Sequence, residues 1–326
     1  MLMPAQDVAP WVGQAVRSIL TGTFRRLELV LVDDGSRDDT VGRARAAARG
    51  DSRLVVVHSD RVGISAALNR GLQHCRGALV ARMDADDWCD PSRIEQQVRF
   101  LAGHSEIAVV GCRVLLHPEP SSGTGMARYI RWQNGLLSHD QMFADRYVDS
   151  VLCHATALFR REALDDLQGW RTVSWAEDID LWLRLFDRGM KMHKLESFLY
   201  TWRMRSGATS WTDDRCSPKR LTEGKAAHLQ AGPLTGANRV LLWGVGVSLE
   251  RWRKALADLG VRVLAVPFDP GRGTQDLPVG PGLSPSQDRS GTKVVACYLS
   301  SRVRRRVRDL AATSGWTEGR DLFFVA

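Results

Sequence analysis

Leu27 to Ser36 read LELVLVDDGS, an apolar run of strand character that ends in two aspartates and a glycine. About fifty residues later, Met83 to Asp87 read MDADD and again follow an apolar run. The carboxyl ends of neighbouring parallel strands meet at one crevice of an open α/β sheet, so we expect both acidic clusters to converge there. Aspartates gathered in such a crevice suit a nucleotide base, a ribose or a hard metal ion.

The segments around these clusters alternate between helical and strand patterns. Apolar residues recur at helical spacing from Val8 to Leu20, and Asp7 precedes them as a candidate cap. This alternation is typical of a parallel sheet with helices packed on its faces. The predicted elements are helices over 8–20, 40–49, 64–75, 92–102 and 176–188, and strands over 27–32, 54–58, 78–83 and 107–114.

A second alternating region follows the small-residue stretch QAGPLTGA, Gln230 to Ala237, which we interpret as a linker. The sequence thus predicts a larger domain over 1–229 and a small Rossmann-like α/β domain over 238–326. Its first turn has Gly244 and Gly246 but no third glycine of the dinucleotide fingerprint, although Asp269 lies near where a ribose-binding acid is expected. The incomplete motif favours a structural or protein-contact role over dinucleotide binding.

Composition places the chain among globular proteins. Its 326 residues are 44% hydrophobic and 25% charged, and the six cysteines form no CxxC pair, which favours reduced thiols over disulfides or a zinc site. No apolar run approaches a bilayer span and no charged-then-apolar leader opens the chain, so we predict a cytoplasmic protein. Only Met1, Leu2 and Met3 precede Pro4, which is short for a central strand, and we expect the natural chain to begin upstream.

The net charge of +8 is uneven. Between Asn238 and Ala326, 14 Lys and Arg stand against 8 Asp and Glu, and the densest basic segment is RVRRRVR, Arg302 to Arg308. The segment is interpreted as a solvated helix face or, alternatively, as a contact for an anionic partner such as the inner membrane face or a phosphorylated acceptor. Basic residues are not interleaved with aromatics, and nothing indicates nucleic-acid binding.

The order and spacing of five motifs resemble a family 2 nucleotide-sugar glycosyltransferase with the GT-A fold. The motifs are MPAQDVAPWVGQAVRSIL, LVDDGSRDDT, GISAALNRGL, ARMDADDWCDPSRI and AEDIDLWLRL, and the resemblance covers roughly residues 1–211. It implies a mixed nucleotide-binding sheet flanked by helices. The C-terminal region is similar to a domain appended to some bacterial members, which ends in a comparable GRDLFFVA.

The resemblance places the nucleoside of the donor at the first acidic cluster. Ionised Asp34 accepts hydrogen bonds and suits the imide N–H of uracil or thymine, with Asp33 beside it. The alternative for both aspartates is capping of the turn before Gly35. The backbone of Pro4 and Ala5 would flank the base by the same resemblance.

Two further groups are candidates for the donor diphosphate. Arg61 and the amino end of the helix at Ile64 are predicted to meet the diphosphate, because helix starts attract anions. A solvated Arg61 is the alternative.

The MDADD cluster matches the DXD motif of this family, with Asp84 and Asp86 as the matched acids. Two carboxylates facing a diphosphate would repel it by roughly 4 kcal/mol per close pair at an effective dielectric near 20, so a divalent cation is expected between them. Mg²⁺ or Mn²⁺ prefers such oxygen ligands. Asp86 is predicted as the direct ligand and Asp84 as a further ligand or a ribose contact; a polar loop before the helix at Ser92 is the alternative.

The third acidic cluster, AEDID, lies at the start of a predicted helix whose apolar stripe includes Ile179 and Leu183. This phase leaves Asp178 facing the crevice, and the resemblance makes it the general base that accepts the proton of the acceptor hydroxyl. Glu177 is predicted to assist or to contact the acceptor. Helix capping by this acidic pair is the alternative.

A loop after this helix, Tyr200 to Trp211, carries a histidine near the diphosphate in many relatives. Here Arg203 and Arg205 occupy that neighbourhood, and a guanidinium suits a phosphate clamp. His154 matches a histidine that often precedes the acceptor region, or else it is a structural residue.

Together these features predict an inverting, metal-dependent glycosyltransferase of polysaccharide biosynthesis. The expected donor is a UDP- or dTDP-sugar and the expected acceptor a hydroxyl of a glycan or lipid-linked glycan. A nucleotidyl- or phosphotransferase is disfavoured because no GxxxxGK[ST] loop is present. A catalytically silent nucleotide-binding protein that acts through its basic C-terminal domain remains the second hypothesis.

Overall fold

The computed structural model describes residues 1–205, 207, 212–270 and 291–326. Residues 206 and 208–211, at the end of the predicted loop Tyr200 to Trp211, and residues 271–290 lie outside the described residues. The chain forms two compact units: the first comprises residues 1–139, 152–173 and 184–211, and the second comprises residues 140–151, 174–183 and 212–326. The predicted linker at 230–237 stays a prediction.

The first unit begins with a parallel sheet that confirms the predicted β-α alternation. All six residues of its central strand are buried, as expected for a strand covered by helices on both faces. The strands are β1 (Leu2–Ala5), β2 (Leu29–Asp34) and β3 (Leu54–Ser59), in the order β1-β2-β3.

A mixed sheet of five strands follows in the same unit. Leu2 of β1 forms a parallel bridge with Arg82, and the Met83 amide donates to the Leu2 carbonyl at 3.1 Å, so the two sheets are joined at this point. The strands are β4 (Leu79–Ala81), β5 (Trp88–Cys89), β6 (Ile107–His117), β7 (Leu158–Arg160) and β8 (Lys191–Arg203), in the order β4-β7-β6-β8-β5.

Helices alternate with these strands along the chain. Gly71 allows its helix to approach β1 and β2 closely, since a Cβ at this position would overlap the side chains of Leu2 and Val32. The helices up to residue 187 are Ala9–Leu20, Thr40–Ala48, Ile64–His74, Arg93–Gly103, Gly125–Gly135, His139–Ala144, Arg161–Asp166 and Glu177–Asp187, with a 3₁₀ turn at His154–Thr156.

The predicted cap of the first helix is wrong. Asp7 has a positive φ of 51°, and its side chain accepts the amide of Arg37 at 2.6 Å. The start of the helix is instead held from the loop after β2, where Asp38 accepts the Ala9 amide and Thr40 accepts the Val8 amide, both at 2.9 Å. These non-local contacts fix the first helix against the loop that carries the first acidic cluster.

The second unit contains the strands and helices predicted over 239–325. Strands β9 (Arg239–Gly244), β10 (Val263–Pro267), β11 (Thr292–Cys297) and β12 (Leu322–Val325) form a parallel sheet in the order β10-β9-β11-β12. Its core also includes Ile179 and Leu183, which confirms the predicted apolar stripe of their helix. The helices are Pro218–Ala231, Gly246–Asp258 and Ser301–Thr313, with a 3₁₀ turn at Asp214–Cys216.

The arginine-rich helix of the second unit is not uniformly solvated. Arg304 is only 2% exposed and lies 3.6 Å from the Asp145 carboxylate, while Arg308 pairs with Asp145 and, at 2.8 Å, with Glu318. Arg302, Arg305 and Arg306 are exposed. The charge of the segment thus serves both internal packing and the surface. No helix in the described part of the chain combines the length and the apolar character that a membrane span requires.

Candidate active site

Three carboxylates of the predicted DXD segment lie together in the loop between β4 and β5. One ligand oxygen from each of Asp84, Asp86 and Asp87 can be chosen so that all lie within 4.8 Å of one another. Asp84 and Asp86 are half-buried, whereas Asp87 is 1% exposed. A compact set of carboxylate oxygens suits Mg²⁺ or Mn²⁺, which bind proteins through one or two carboxylates and take their other ligands from phosphate or water.

Two of these acids are held by protein groups that the sequence did not single out. The buried Arg82 pairs with Asp84 at 2.6 Å. Asp87 accepts the Tyr200 hydroxyl at 2.6 Å and the Arg203 amide at 2.7 Å through different oxygens. Asp87 therefore ties the acidic loop to the end of β8, while Asp84 and Asp86 are the less buried acids of the cluster.

Burial and neighbouring negative charges raise the pKa values of two acids in this loop. Burial raises the pKa of Asp86, and the neighbouring charge of Asp84 raises it further, while Arg205 opposes both effects. The pKa of Asp87 is raised well above its usual range, first by burial and then by the charges of Asp84 and Asp86. A cation beside these groups would favour their ionised forms.

The two predicted phosphate-clamp arginines both contact the acidic loop. The Arg205 Nε donates to the Asp86 carboxylate at 2.7 Å, and its guanidinium lies over the Trp11 ring at 4.7 Å. The Arg203 Nε donates to the Asp86 carbonyl at 2.8 Å, and its guanidinium lies 4.6 Å from the Trp88 ring centroid. The Arg203 side chain therefore supports the loop by a hydrogen bond to the loop backbone, whereas the Arg205 side chain pairs with the predicted metal ligand itself.

Asp34, at the end of β2, anchors the loop before the Ile64–His74 helix. Its two carboxylate oxygens accept the Val62 and Gly63 amides, at 2.8 and 2.9 Å. The side chain is buried, with 4% exposure. These contacts give Asp34 a loop-organising role, and its predicted contact with the base stays a prediction.

Asp33 makes longer hydrogen-bond contacts with the protein than Asp34 does. It accepts the Ser36 amide at 3.3 Å, and its other oxygen lies 3.4 Å from His58 Nδ1 on the neighbouring strand. Ala5 of β1 is paired in register with Asp33, and Pro4 with Val32. The structure thus brings Pro4, Ala5 and Asp33 together on neighbouring strands, and their contact with a nucleoside stays a prediction.

Arg61 links the loops beside this site. Its Nε donates to the Gly35 carbonyl at 2.9 Å, and its guanidinium pairs with Asp7. Gly35 has a φ of +65° and a Cβ there would lie 3.1 Å from the Arg61 amide, so a side chain at this turn would be strained. Arg61 therefore orders the loops, and its predicted phosphate contact is untested.

His154 is a core residue in this structure. It is 7% exposed, and its Nε2 accepts the indole N–H of Trp170 at 2.8 Å. Because an indole only donates, Nε2 carries no proton in this contact. The geometry gives His154 a packing role, and its predicted contact with diphosphate or acceptor stays a prediction.

The predicted catalytic acids belong to the second unit. Asp178 is half-buried near the start of its helix and accepts the Ser150 hydroxyl at 2.6 Å and the Ile179 amide at 2.8 Å. Glu177 lies 3.6 Å from the guanidinium of Arg215. The convergence of Asp178 with the strand-end acids of the first unit stays a prediction.

Sequence comparison identifies the family of the chain. The family described as Glycosyl transferase family 2 matches residues 1–168. The chain is 34% identical over 203 residues to the putative glycosyltransferase EpsE of Bacillus subtilis, covering 60% of this chain and 69% of that protein. It is 28% identical over 196 residues to the amylovoran biosynthesis glycosyltransferase AmsE of Erwinia amylovora, covering 60% of this chain and 70% of the relative.

Solved structures show the same fold at low sequence identity. S. aureus TarS in complex with UDP-GlcNAc superposes with a TM-score of 0.56 at 16% identity, covering 79% of this chain and 70% of that one. The mannosyltransferase PcManGT from Pyrobaculum calidifontis, in complex with GDP-Man and Mn²⁺, gives a TM-score of 0.55 at 22% identity, covering 71% and 62%. The acidic strand ends, the mixed sheet and these relatives together lead to one conclusion: the chain belongs to glycosyltransferase family 2 and has the GT-A fold.

Proposed function

We propose that the protein is an inverting, metal-dependent enzyme that transfers a sugar from a UDP- or dTDP-sugar to a hydroxyl of a glycan or lipid-linked glycan. The observation that carries this proposal is the compact carboxylate cluster of Asp84, Asp86 and Asp87 on a GT-A sheet. Asp86 and Asp84 would hold the cation. A bound Mg²⁺ or Mn²⁺ would neutralise the charge that develops on the departing nucleoside diphosphate.

In the proposed reaction the acceptor oxygen forms a bond to the anomeric carbon from the face opposite the diphosphate. The bond between that carbon and the diphosphate oxygen breaks, and its electron pair leaves with the nucleoside diphosphate. Asp178 takes the proton of the acceptor hydroxyl, which requires an ionised carboxylate within hydrogen-bond reach. Because attack and departure occur on opposite faces, the configuration at the anomeric carbon is inverted.

Recognition of the base is assigned in this proposal to Asp33, beside the backbone of Pro4 and Ala5. The assignment rests on the hydrogen bonds of the two strand-end acids: both oxygens of Asp34 accept a backbone amide, whereas Asp33 makes longer contacts. A carboxylate suits the imide N–H of uracil or thymine, since it only accepts hydrogen bonds.

Replacing each strand-end acid by asparagine should separate these roles. Asp34→Asn places an NH₂ group against a backbone amide, and we expect a loss of about 1–3 kcal/mol in the free energy of unfolding. Asp33→Asn should instead weaken UDP binding roughly tenfold or more, because a charge-assisted hydrogen bond is lost. Denaturant unfolding and calorimetric titration with UDP measure the two effects. Parent-like stability of Asp34→Asn with lost UDP binding would return the base contact to Asp34.

A donor screen tests the proposed activity. TarS is seen with UDP-GlcNAc and PcManGT with GDP-Man and Mn²⁺, while AmsE is named for amylovoran biosynthesis, and these relatives support a nucleotide-sugar donor, a divalent cation and a role in glycan biosynthesis. Release of nucleoside diphosphate should be measured with UDP-, dTDP- and GDP-sugars, in Mn²⁺ and in EDTA. We expect turnover with a uridine or thymidine donor only when the cation is present. Turnover unaffected by EDTA would contradict the metal assignment.

One observation favours a second candidate, a nucleotide-binding protein without turnover. Arg205 forms an ion pair with Asp86, the residue that the proposed reaction needs as a metal ligand. In an active enzyme this arginine must leave Asp86 when the cation binds. In a silent protein it would replace the cation permanently, and UDP would bind without release of sugar.

Substitution of Arg205 distinguishes these candidates. In Arg205→Ala the competing cation is gone, so we expect Mn²⁺ to bind the donor-free protein roughly fivefold more tightly, equivalent to about 1 kcal/mol for a partly exposed ion pair. Sugar transfer should nevertheless fall, because the phosphate clamp is lost with the same side chain. The unbound Mn²⁺ signal in electron paramagnetic resonance reports the affinity. Arg302→Ala, at an exposed arginine of the second unit, is the control for loss of one positive charge.

Unchanged Mn²⁺ affinity in Arg205→Ala would show that the ion pair does not compete with the cation. A parent protein that binds no Mn²⁺ and turns over no donor, together with a variant that gains Mn²⁺ binding, would support the silent candidate.

The acceptor is the least constrained part of the proposal. Arg302, Arg305 and Arg306 are exposed on one helix of the second unit. They are suited to an anionic surface at the cytoplasmic membrane face, where a lipid-linked acceptor would be found. Their role in membrane association belongs to the proposal together with the lipid-linked acceptor.

A further inference from the structure

We propose that Ser150 is a positioning residue for Asp178, fixed in that role by the indole of Trp182. This inference rests on the proposed function, in which Asp178 is the general base. Ser150 Oγ lies 2.6 Å from Asp178 Oδ2, and Trp182 Nε1 lies 3.2 Å from Ser150 Oγ. Asp178 and Trp182 are one helical turn apart, so both reach the same serine from one face of the Glu177–Asp187 helix.

The chemistry of the three groups sets the direction of these hydrogen bonds. The indole Nε1–H of Trp182 only donates, so Ser150 Oγ must be the acceptor in that contact. The single hydroxyl proton of Ser150 is then directed to the carboxylate of Asp178. The relay Trp182 to Ser150 to Asp178 therefore favours the ionised carboxylate.

Burial makes this orientation persistent. Trp182 is 2% exposed and Ser150 7%, whereas Asp178 is half-buried. The other oxygen of Asp178 accepts the Ile179 amide at 2.8 Å. The carboxylate is thus held at both oxygens.

Two kinetic consequences follow for the removal of the serine hydroxyl. A hydrogen bond to the charged form lowers the pKa of a carboxyl, so its loss should move the acid limb of the kcat profile to higher pH by about one unit. Loss of orientation should lower kcat on the neutral plateau about tenfold. The KM for the donor should change little, because donor recognition is assigned to residues of the first unit.

The test compares pH profiles of kcat for the parent, Ser150→Ala and Ser150→Thr in the full-length chain. Ser150→Thr keeps the hydroxyl and should keep the position of the acid limb. Ser18→Ala is the matched control, since the Ser18 hydroxyl donates to the Ala15 carbonyl at 2.8 Å in the other unit. Thermal unfolding of each variant guards against general loss of structure. Trp182→Phe removes the indole donor together with part of the buried ring, and it should shift the acid limb in the same direction by less.

A shifted acid limb in Ser150→Ala, with Ser150→Thr close to the parent, supports the relay. An acid limb at the parent position in a folded Ser150→Ala overturns it, whether or not kcat falls, because a packing role alone does not change the ionisation of Asp178. If Ser150→Ala does not fold, the acid limbs of Ser150→Thr and Trp182→Phe decide the question. Failure of the proposed function is a separate result, namely transfer that survives in Asp178→Asn.

Discussion

Asp178→Asn is expected to slow sugar transfer by 10²- to 10⁴-fold while leaving UDP binding unchanged, because the variant cannot accept the proton of the acceptor hydroxyl. Asparagine is nearly isosteric with aspartate and its carbonyl oxygen still accepts one hydrogen bond. The contact with Ser150 or with the Ile179 amide can therefore be kept, and the loss should appear in kcat. Nucleoside diphosphate release with the best donor and acceptor of the screen, and calorimetry with UDP, measure the two quantities.

Glu177→Gln is the matched control for this substitution. Glu177 precedes Asp178 in the same helix turn, but its carboxylate lies 3.6 Å from the Arg215 guanidinium. We expect a much smaller fall in kcat from this variant than from Asp178→Asn. The reverse ranking would move the base role to Glu177, and full activity of both variants would remove the acidic pair from the chemistry.

Asp86→Ala is expected to abolish Mn²⁺ binding and to reduce transfer by about a thousandfold or more. Lewis-acid stabilisation of a leaving group contributes several kcal/mol to catalysis, and each 1.4 kcal/mol corresponds to a factor of ten in rate. The substitution also releases Arg205 from its ion pair, so the diphosphate would meet an arginine where the cation should lie. Mn²⁺ titration followed by electron paramagnetic resonance gives the binding result independently of activity.

The control for Asp86→Ala is Asp90→Ala, in the same loop region but outside the carboxylate cluster. Asp90 accepts the Ser92 amide at 2.8 Å and the Ser92 hydroxyl at 2.5 Å, and it is exposed. Its loss should weaken the start of the next helix and leave Mn²⁺ affinity at the parent value. Equal Mn²⁺ affinity in Asp86→Ala and the parent would show that the cation is held elsewhere.

The strands and helices around the parallel sheet of the first unit were predictable because local pattern and tertiary role agree. The apolar run before Asp33 is a buried strand, and the helix predicted over 64–75 is present at Ile64–His74. The clustering of Asp84 and Asp86 was also predictable, since both acids belong to one five-residue motif. In each case the signal lies within a few neighbouring residues.

The contacts that define the candidate site were not predictable in this way. Tyr200 lies 113 positions from Asp87, and its contact with that acid depends on the place of β8 in the mixed sheet. Arg82 lies within the motif itself, yet its contact with Asp84 depends on the place of β4 in the same sheet. The same applies to Ser150, which is 28 positions from Asp178 and belongs to no periodic pattern. Pairing over such separations is decided by tertiary packing, which one sequence does not display.

The bridge between Leu2 and Arg82 has a consequence for the proposed reaction. This bridge is a narrow seam between two halves of the first unit. The parallel half is the sheet β1-β2-β3, which carries Asp33 and Asp34, and the mixed half is the five-stranded sheet, which carries the carboxylate loop. In the proposed reaction, nucleobase choice and diphosphate departure are thus encoded on opposite sides of that seam. In that reaction, substitutions in the parallel half would change the nucleobase that is accepted and leave the residues that hold the cation unaltered.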